Sequence, residues 1–232
     1  PRDRIRVLLL EGIHEVAEQC FRDAGYSEVR RLPGALPSDR LHAELADAQI
    51  VGLRSRTQID RAALDAAPRL VALGCFCIGT NQVDLPAARR HAIPVFNAPH
   101  SNTRSVAELT IAEIVALHRR LADRSAACHA GRWDKSAAGS HEIRGKTLGI
   151  VGYGHIGSQV SVLAESMGMR VVFYDVVPKQ ALGNARAAAS LDALLAQSDV
   201  VTIHVPATPL TENLIGPAQI AAMKPGAMLI NN

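Results

Sequence analysis

Short apolar runs alternate with amphipathic stretches along nearly the whole of this 232-residue sequence, and that alternation limits the fold more than any other feature. Residues 5–10 predict a buried strand and 14–24 a helix ending at Gly25. Residues 28–32 predict a weaker strand, followed by a helix over 38–46. A strand at 50–53, a helix at 60–67 stopped by Pro68, a strand at 70–76, a helix at 85–91 and a short strand at 94–96 complete the first part. Strands separated by helices cannot pair as hairpins, so they pair in parallel with helices on both faces. The first ~100 residues therefore form one small doubly wound unit.

Residues 105–127 differ. Val106, Leu109, Ile111, Ile114, Val115, Leu117 and Leu121 recur at helical spacing, and Ser105-x-x-Glu108 has the pattern of a capping box. The expectation is a single long helix leading into a second unit. Residues 131–145 are polar, with Trp133 as their only large aromatic, and predict an extended surface excursion. The strand–helix pattern then resumes: strands at 146–151, 170–174, 200–204 and 227–230, and helices at 156–167, 191–197 and 217–223. This divides the chain into units 1–100 and 101–232, the second breaking off in mid-pattern at Asn231-Asn232.

Composition narrows the function. Lys plus Arg is 25 against 22 Asp plus Glu, a net charge of +3, too small an excess to argue for a nucleic-acid partner. No run reaches the ~18 apolar residues of a membrane span, and the opening Pro1-Arg2-Asp3-Arg4 is not a signal peptide. No membrane partner is expected. Four cysteines (Cys20, Cys75, Cys77 and Cys128) make no disulfide scaffold, so a cytoplasmic, reducing compartment is expected. Cys75-x-Cys77 lacks a second ligand pair at zinc spacing and sits in an apolar run. Buried strand cysteines are the expectation, and no metal site.

The sharpest local signal is Gly152-Tyr153-Gly154-His155-Ile156-Gly157. It follows a predicted strand and opens a predicted helix, the context a dinucleotide loop requires. Gly152 permits the tight turn, Gly154 lets backbone approach a pyrophosphate, and Gly157 lets helix and strand pack closely. Free N–H groups at the helix start favour an anion. After the strand at 170–174 comes Asp175, where a carboxylate accepts from the ribose hydroxyls of NAD and repels the 2′-phosphate of NADP. The competing account is a tight strand–helix turn with incidental glycines.

Residues 145–157 resemble the signature of the D-2-hydroxyacid dehydrogenases. His204-Val205-Pro206 and residues 223–231 match the same family. Residues 52–57, 74–84 and 97–108 are most similar to its branch that oxidises D-3-phosphoglycerate. The resemblance implies an α/β protein with a flavodoxin-like substrate domain and a Rossmann-type dinucleotide-binding domain, incomplete at the C-terminus, and an active site in the cleft between them. It implies NAD as cofactor, held by Gly152, Gly154, His155, Ile156, Gly157 and Asp175, with Ile78 near the nicotinamide and Val205 and Pro206 bordering it. Arg54, Ser55 and Asn102 would line the substrate side. The partner implied is a small anionic substrate, a phosphorylated 2-hydroxyacid. A homodimer or homotetramer through the cofactor domain is also implied, which gives Trp133 and Lys135 a use.

Plainer accounts stand beside these. Arg54 and Arg56 alternate at a strand end, so one of them can simply be solvated, and Asn102 can be only a helix-start residue. His14, His42, His91, His118 and His129 read as helix-surface or core residues. In the family an Arg clamps the substrate carboxylate while a Glu-paired His takes the hydroxyl proton. The resemblance puts all three after Asn232, so no residue of this chain is assigned as catalytic, and the fragment alone is expected to be inactive. The implied reaction is oxidation of D-3-phosphoglycerate to 3-phosphohydroxypyruvate, the first step of phosphorylated serine biosynthesis, with 2-hydroxyglutarate as another substrate. The alternatives are a dehydrogenase of another D-2-hydroxyacid and a non-enzymatic NAD-sensing protein on the same scaffold.

Overall fold

Val7–Leu9 (β1), Val29–Arg31 (β2), Ile50–Leu53 (β3), Ala72–Cys75 (β4) and Val95–Asn97 (β5) pair in parallel in the order β2-β1-β3-β4-β5. The computed structural model describes every residue, Pro1–Asn232. Side chains alternate along β1: Val7 and Leu9 pack against Ala17 and Phe21 of helix Glu15–Asp23 (α1) on one face. Leu8 joins the other face, with residues of Ser38–Leu45 (α2), Arg61–Asp65 (α3) and Leu85–Arg90 (α4). The period of two thus gives one sheet a core on each side. Short helices need fixed starts, and Asp60 and Asp84 provide them by accepting from Ala63 N and Ala87 N at 2.8 Å.

The second sheet has Thr147–Val151 (β6), Arg170–Tyr174 (β7), Arg186–Ala187 (β8), Val200–Ile203 (β9) and Met228–Asn231 (β10). All pair in parallel in the order β10-β9-β6-β7-β8. Its helices are Thr103–His118 (α5), Leu121–His129 (α6), His155–Ser166 (α7), Leu191–Gln197 (α8) and Pro217–Ala222 (α9). The chain divides into compact units Pro1–Ser101 and Asn102–Asn232. No helix is long and apolar enough to cross a membrane.

The single helix expected over 105–127 is two helices. Arg120 turns left-handed at φ +52° between α5 and α6. The cause is tertiary: His118 O, which an unbroken helix would use internally, accepts from His141 N at 2.8 Å. The Arg124 guanidinium also holds the 131–145 excursion, through Asp134 O at 3.0 Å and Ser136 O. The capping box is corrected too. The helix begins at Thr103, so Ser105 and Glu108 lie inside it, and Glu108 accepts instead from Arg104 Nε at 2.6 Å. The two-residue β8 was not expected, and the apolar runs at 5–10 and 70–76 extend past their ladders because the adjoining residues Leu10 and Leu70 are also buried. Of the two neighbouring cysteines, only Cys75 lies in a strand and is buried. Cys77 follows it, half-buried.

Candidate functional site

In an open parallel sheet, the crevice lies where strand order reverses, at the C-terminal strand ends. In the second unit that point lies between β6 and β9, and the expected cofactor loop leaves β6 there. Gly152 has φ +92°, and a Cβ on it would stand 2.7 Å from His204 O and 2.8 Å from Val205 Cγ1. Only a glycine lets the loop and the end of β9 approach this closely. Gly157 is tighter still, since its Cβ would meet Gly152 O at 2.2 Å. Gly154 is the opposite case: it is exposed, and a Cβ there would meet nothing within 4 Å. Open space at the middle glycine between two close approaches suits a pyrophosphate lying on the backbone.

Helix α7 starts at this loop. Gly154 is its N-cap, and its first internal bond runs from Ser158 N to Gly154 O at 2.9 Å. The first turn of α7 therefore presents N–H groups with no partner inside the helix, with the positive end of the helix dipole behind them. His155 is exposed and Ile156 half-buried. Asp175 stands at the end of β7, where its Oδ2 accepts from Tyr153 N at 2.9 Å and its Oδ1 from Val177 N at 3.1 Å. The carboxylate thus braces the loop itself, a role its spacing did not announce. Carboxylate oxygens accept more than one bond each, so this bracing leaves capacity for a ribose hydroxyl.

Tyr153, the unremarked second residue of the motif, is a further brace. Its buried ring stacks on Phe173 with centroids 3.8 Å apart. Its hydroxyl donates to Ser161 Oγ at 2.9 Å and accepts from Leu182 N at 3.3 Å. Half-buried Val205 and exposed Pro206 follow β9. Beside them, burial pushes the His204 imidazole down to about 4, so it is neutral at neutral pH, with Nε2 3.0 Å from Thr202 Oγ1. It adds no charge to the loop.

In the first unit the order reverses between β1 and β3. Arg54, Ser55 and Arg56 leave β3 there, all exposed. Their backbone is held by Glu11, which no motif or spacing in the sequence marks. Glu11 Oε1 accepts from Arg54 N at 3.1 Å and Thr57 N at 2.9 Å, and Oε2 from Arg56 N at 3.0 Å. Burial raises the Glu11 carboxyl, but hydrogen bonding from this loop outweighs it and leaves the group below its ordinary value. The buried Thr57 hydroxyl and the N–H groups of Arg56, Thr57 and Arg54 all act in that lowering direction. From the other side, the buried Gln82 amide donates to Arg54 O at 2.9 Å, Cys77 Sγ at 3.2 Å and Gly79 O at 3.3 Å. Asn97 Nδ2 donates to Ile78 O at 2.7 Å. The loop carrying Arg54 and the loop carrying Ile78 are thereby joined.

Asn102 belongs to the second unit. It is the N-cap of α5 with no side-chain cap bond, so the plain helix-start reading does not account for its amide. Trp133, 75% exposed, and exposed Lys135 lie on the excursion. His14 caps α1 by accepting from Val16 N at 3.2 Å, and His91 pairs with Asp65 at 2.9 Å. His118 is buried, with Nδ1 2.9 Å from Ile114 O.

Residues 111–232 match the NAD-binding domain of the D-isomer specific 2-hydroxyacid dehydrogenases. The chain is 54% identical over 230 residues to D-3-phosphoglycerate dehydrogenase of Escherichia coli (strain K12). That alignment takes 99% of this chain and 56% of the relative, so the chain spans about half the relative's length. Among solved structures, the TT0316 protein from Thermus thermophilus superposes with a TM-score of 0.89 at 33% identity, over 98% of this chain and 73% of that one. NAD-dependent formate dehydrogenase from Staphylococcus aureus, solved in complex with NAD, superposes with a TM-score of 0.86 at 27% identity, again over 98% and 73%. The chain belongs to the D-isomer specific 2-hydroxyacid dehydrogenases, and its second unit contains their NAD-binding domain.

Proposed function

We propose that the protein carrying this chain is an NAD-dependent dehydrogenase that oxidises D-3-phosphoglycerate to 3-phosphohydroxypyruvate, entering serine biosynthesis. The observation that carries this reading is the 54% identity with a relative named for that reaction, sustained over 99% of the chain. In this reading Gly152, Gly154, His155, Ile156 and Gly157 hold the pyrophosphate by backbone, Asp175 the ribose, and Ile78, Val205 and Pro206 the nicotinamide. Bound NAD supplies the hydride acceptor. Arg54, Ser55 and Asn102 hold the substrate, and the planar guanidinium of exposed Arg54 can pair bidentately with a carboxylate or phosphate of a phosphorylated hydroxyacid. This chain's residues therefore bind and orient, while the acid–base groups of the family lie in sequence after Asn232.

The cytoplasm is the compartment proposed, in keeping with four free cysteines. A homodimer or homotetramer through the second unit is the assembly proposed, with the exposed Trp133 excursion reaching the partner. Turnover by the intact protein tests the reading. NADH must form from D-3-phosphoglycerate in preference to other D-2-hydroxyacids, 2-hydroxyglutarate included. NAD binding with no turnover of any of them would favour a sensor instead.

A further inference from the structure

The turn after β1 is built in a conformation that its sequence does not favour. Glu11 has φ +60° and is followed by Gly12 at φ +62°. A glycine adopts that conformation freely and a glutamate does not. A non-glycine residue persists there only where its surroundings over-determine it, and such positions cluster at functional sites. What holds Glu11 is its carboxylate, bonded to the N–H groups of Arg54, Arg56 and Thr57.

Three convergent N–H groups at a switch point form an anion receptor. Here the receptor is filled from within the chain, so the backbone on both sides of Ser55 is fixed across the β1–β3 crevice. Gln82 holds Arg54 O from the opposite side. The Arg54 and Arg56 side chains then leave a clamped backbone and reach solvent.

We infer that Glu11 is a positioning residue for anionic-substrate recognition. Its carboxylate holds the 54–57 loop so that Arg54 and Ser55 meet the substrate in one arrangement. This rests on the substrate reading proposed above. Without the internal anion the loop relaxes, and the order it must regain on binding is read as a loss of substrate affinity of about tenfold.

The test is Glu11→Gly in the intact protein, since glycine suits the φ of the turn while the side chain that carries the carboxylate is removed. KM for D-3-phosphoglycerate is expected to rise at least about tenfold, which is ~1.4 kcal/mol. The Kd for NADH and kcat at saturating substrate should stay within about threefold, less than ~0.7 kcal/mol. Added formate should recover much of the loss by entering the emptied receptor, while chloride at matched ionic strength should not. A KM change below threefold, an equal loss in NADH affinity, or equal rescue by chloride would overturn the inference.

Amide exchange in the unsubstituted protein gives a second measurement that does not depend on the variant folding. The Arg54, Arg56 and Thr57 amides should exchange more slowly than that of Ser55, and equal exchange across 54–57 would overturn the inference. If the unsubstituted protein does not turn over D-3-phosphoglycerate, the proposed substrate fails. The hold of Glu11 on the loop is then judged from the exchange pattern.

Discussion

Replacing Gly157 with alanine should damage the cofactor loop more than its small size suggests. A Cβ there would lie 2.2 Å from Gly152 O, 3.0 Å from Ile150 Cγ2 and 3.2 Å from Gly152 C. Carbon and oxygen must separate by roughly 1 Å more before the contact is ordinary van der Waals distance. Gly152 has little room to give way: its N–H donates to Tyr174 O at 2.8 Å, and a Cβ on it would already strike His204 O. The strain must pass to α7, whose first turn presents the N–H groups proposed to bind pyrophosphate. Overpacking of this kind costs about 1–3 kcal/mol. Placed on the loop, it should weaken NADH binding about tenfold or more.

Gly154→Ala is the matched control. It has no neighbour within 4 Å and an ordinary φ of −85°, so its stability should fall by no more than about 1 kcal/mol, the loss of a favourable N-cap residue. Its NADH affinity should nonetheless drop, because the new methyl occupies the space proposed for the pyrophosphate. Urea unfolding and NADH fluorescence titration of both variants separate the two effects. Gly157→Ala with stability within about 0.5 kcal/mol and NADH Kd within twofold of the parent would refute the packing argument. Gly154→Ala with unchanged NADH affinity would refute the placement of the pyrophosphate.

Asp175→Ala should lose discrimination against NADP and also loosen the loop, since the Tyr153 N–H loses its acceptor. Unchanged NAD/NADP preference in steady-state kinetics would remove the assignment. Asp199 accepts from Thr147 N at 2.7 Å and Lys224 Nζ at 3.0 Å. Burial raises its carboxyl, but the Thr147 N–H and the Lys224 ammonium outweigh that and hold it below the ordinary carboxylate value. A lowered folded pKa stabilises above the unfolded value and loses that contribution as pH falls through the folded one. Asp199→Asn should therefore destabilise by about 1–2 kcal/mol at neutral pH. The deficit should shrink below about pH 4, and a deficit independent of pH in urea titrations would contradict this. The Glu11→Gly kinetics described above stand beside these tests.

The parts of the molecule legible in sequence are those whose determinants are local. The glycine loop could be read because its three glycines stand at fixed spacing between a strand and a helix, although Gly152 answers to His204, 52 residues on, and the alternation of strand and helix dictated parallel sheets. The break between α5 and α6 was hidden because Arg119-Arg120 carries no glycine or proline. It is imposed by His141, which captures the His118 carbonyl from 23 residues away. Glu11 was hidden for the same reason, since its partners lie 43 to 46 residues along the chain. A left-handed glutamate is invisible until the fold brings β1 beside β3. Gln82 and Tyr153 sat inside recognised motifs, yet what they brace follows from contacts no spacing records. Asp175 was singled out for a ligand, and its bonds to Tyr153 and Val177 emerged only with the fold.

The central proposal is that the intact protein carrying this chain binds NAD and oxidises a phosphorylated D-2-hydroxyacid. Initial rates of NADH formation by the intact protein, compared across D-3-phosphoglycerate, D-2-hydroxyglutarate and D-lactate, test it most directly. The highest kcat/KM is expected for D-3-phosphoglycerate, at least about tenfold above D-lactate, because the Arg54 loop is proposed to meet an anion-rich substrate. Equal or greater efficiency with D-lactate, or no NADH from any of the three, would contradict it.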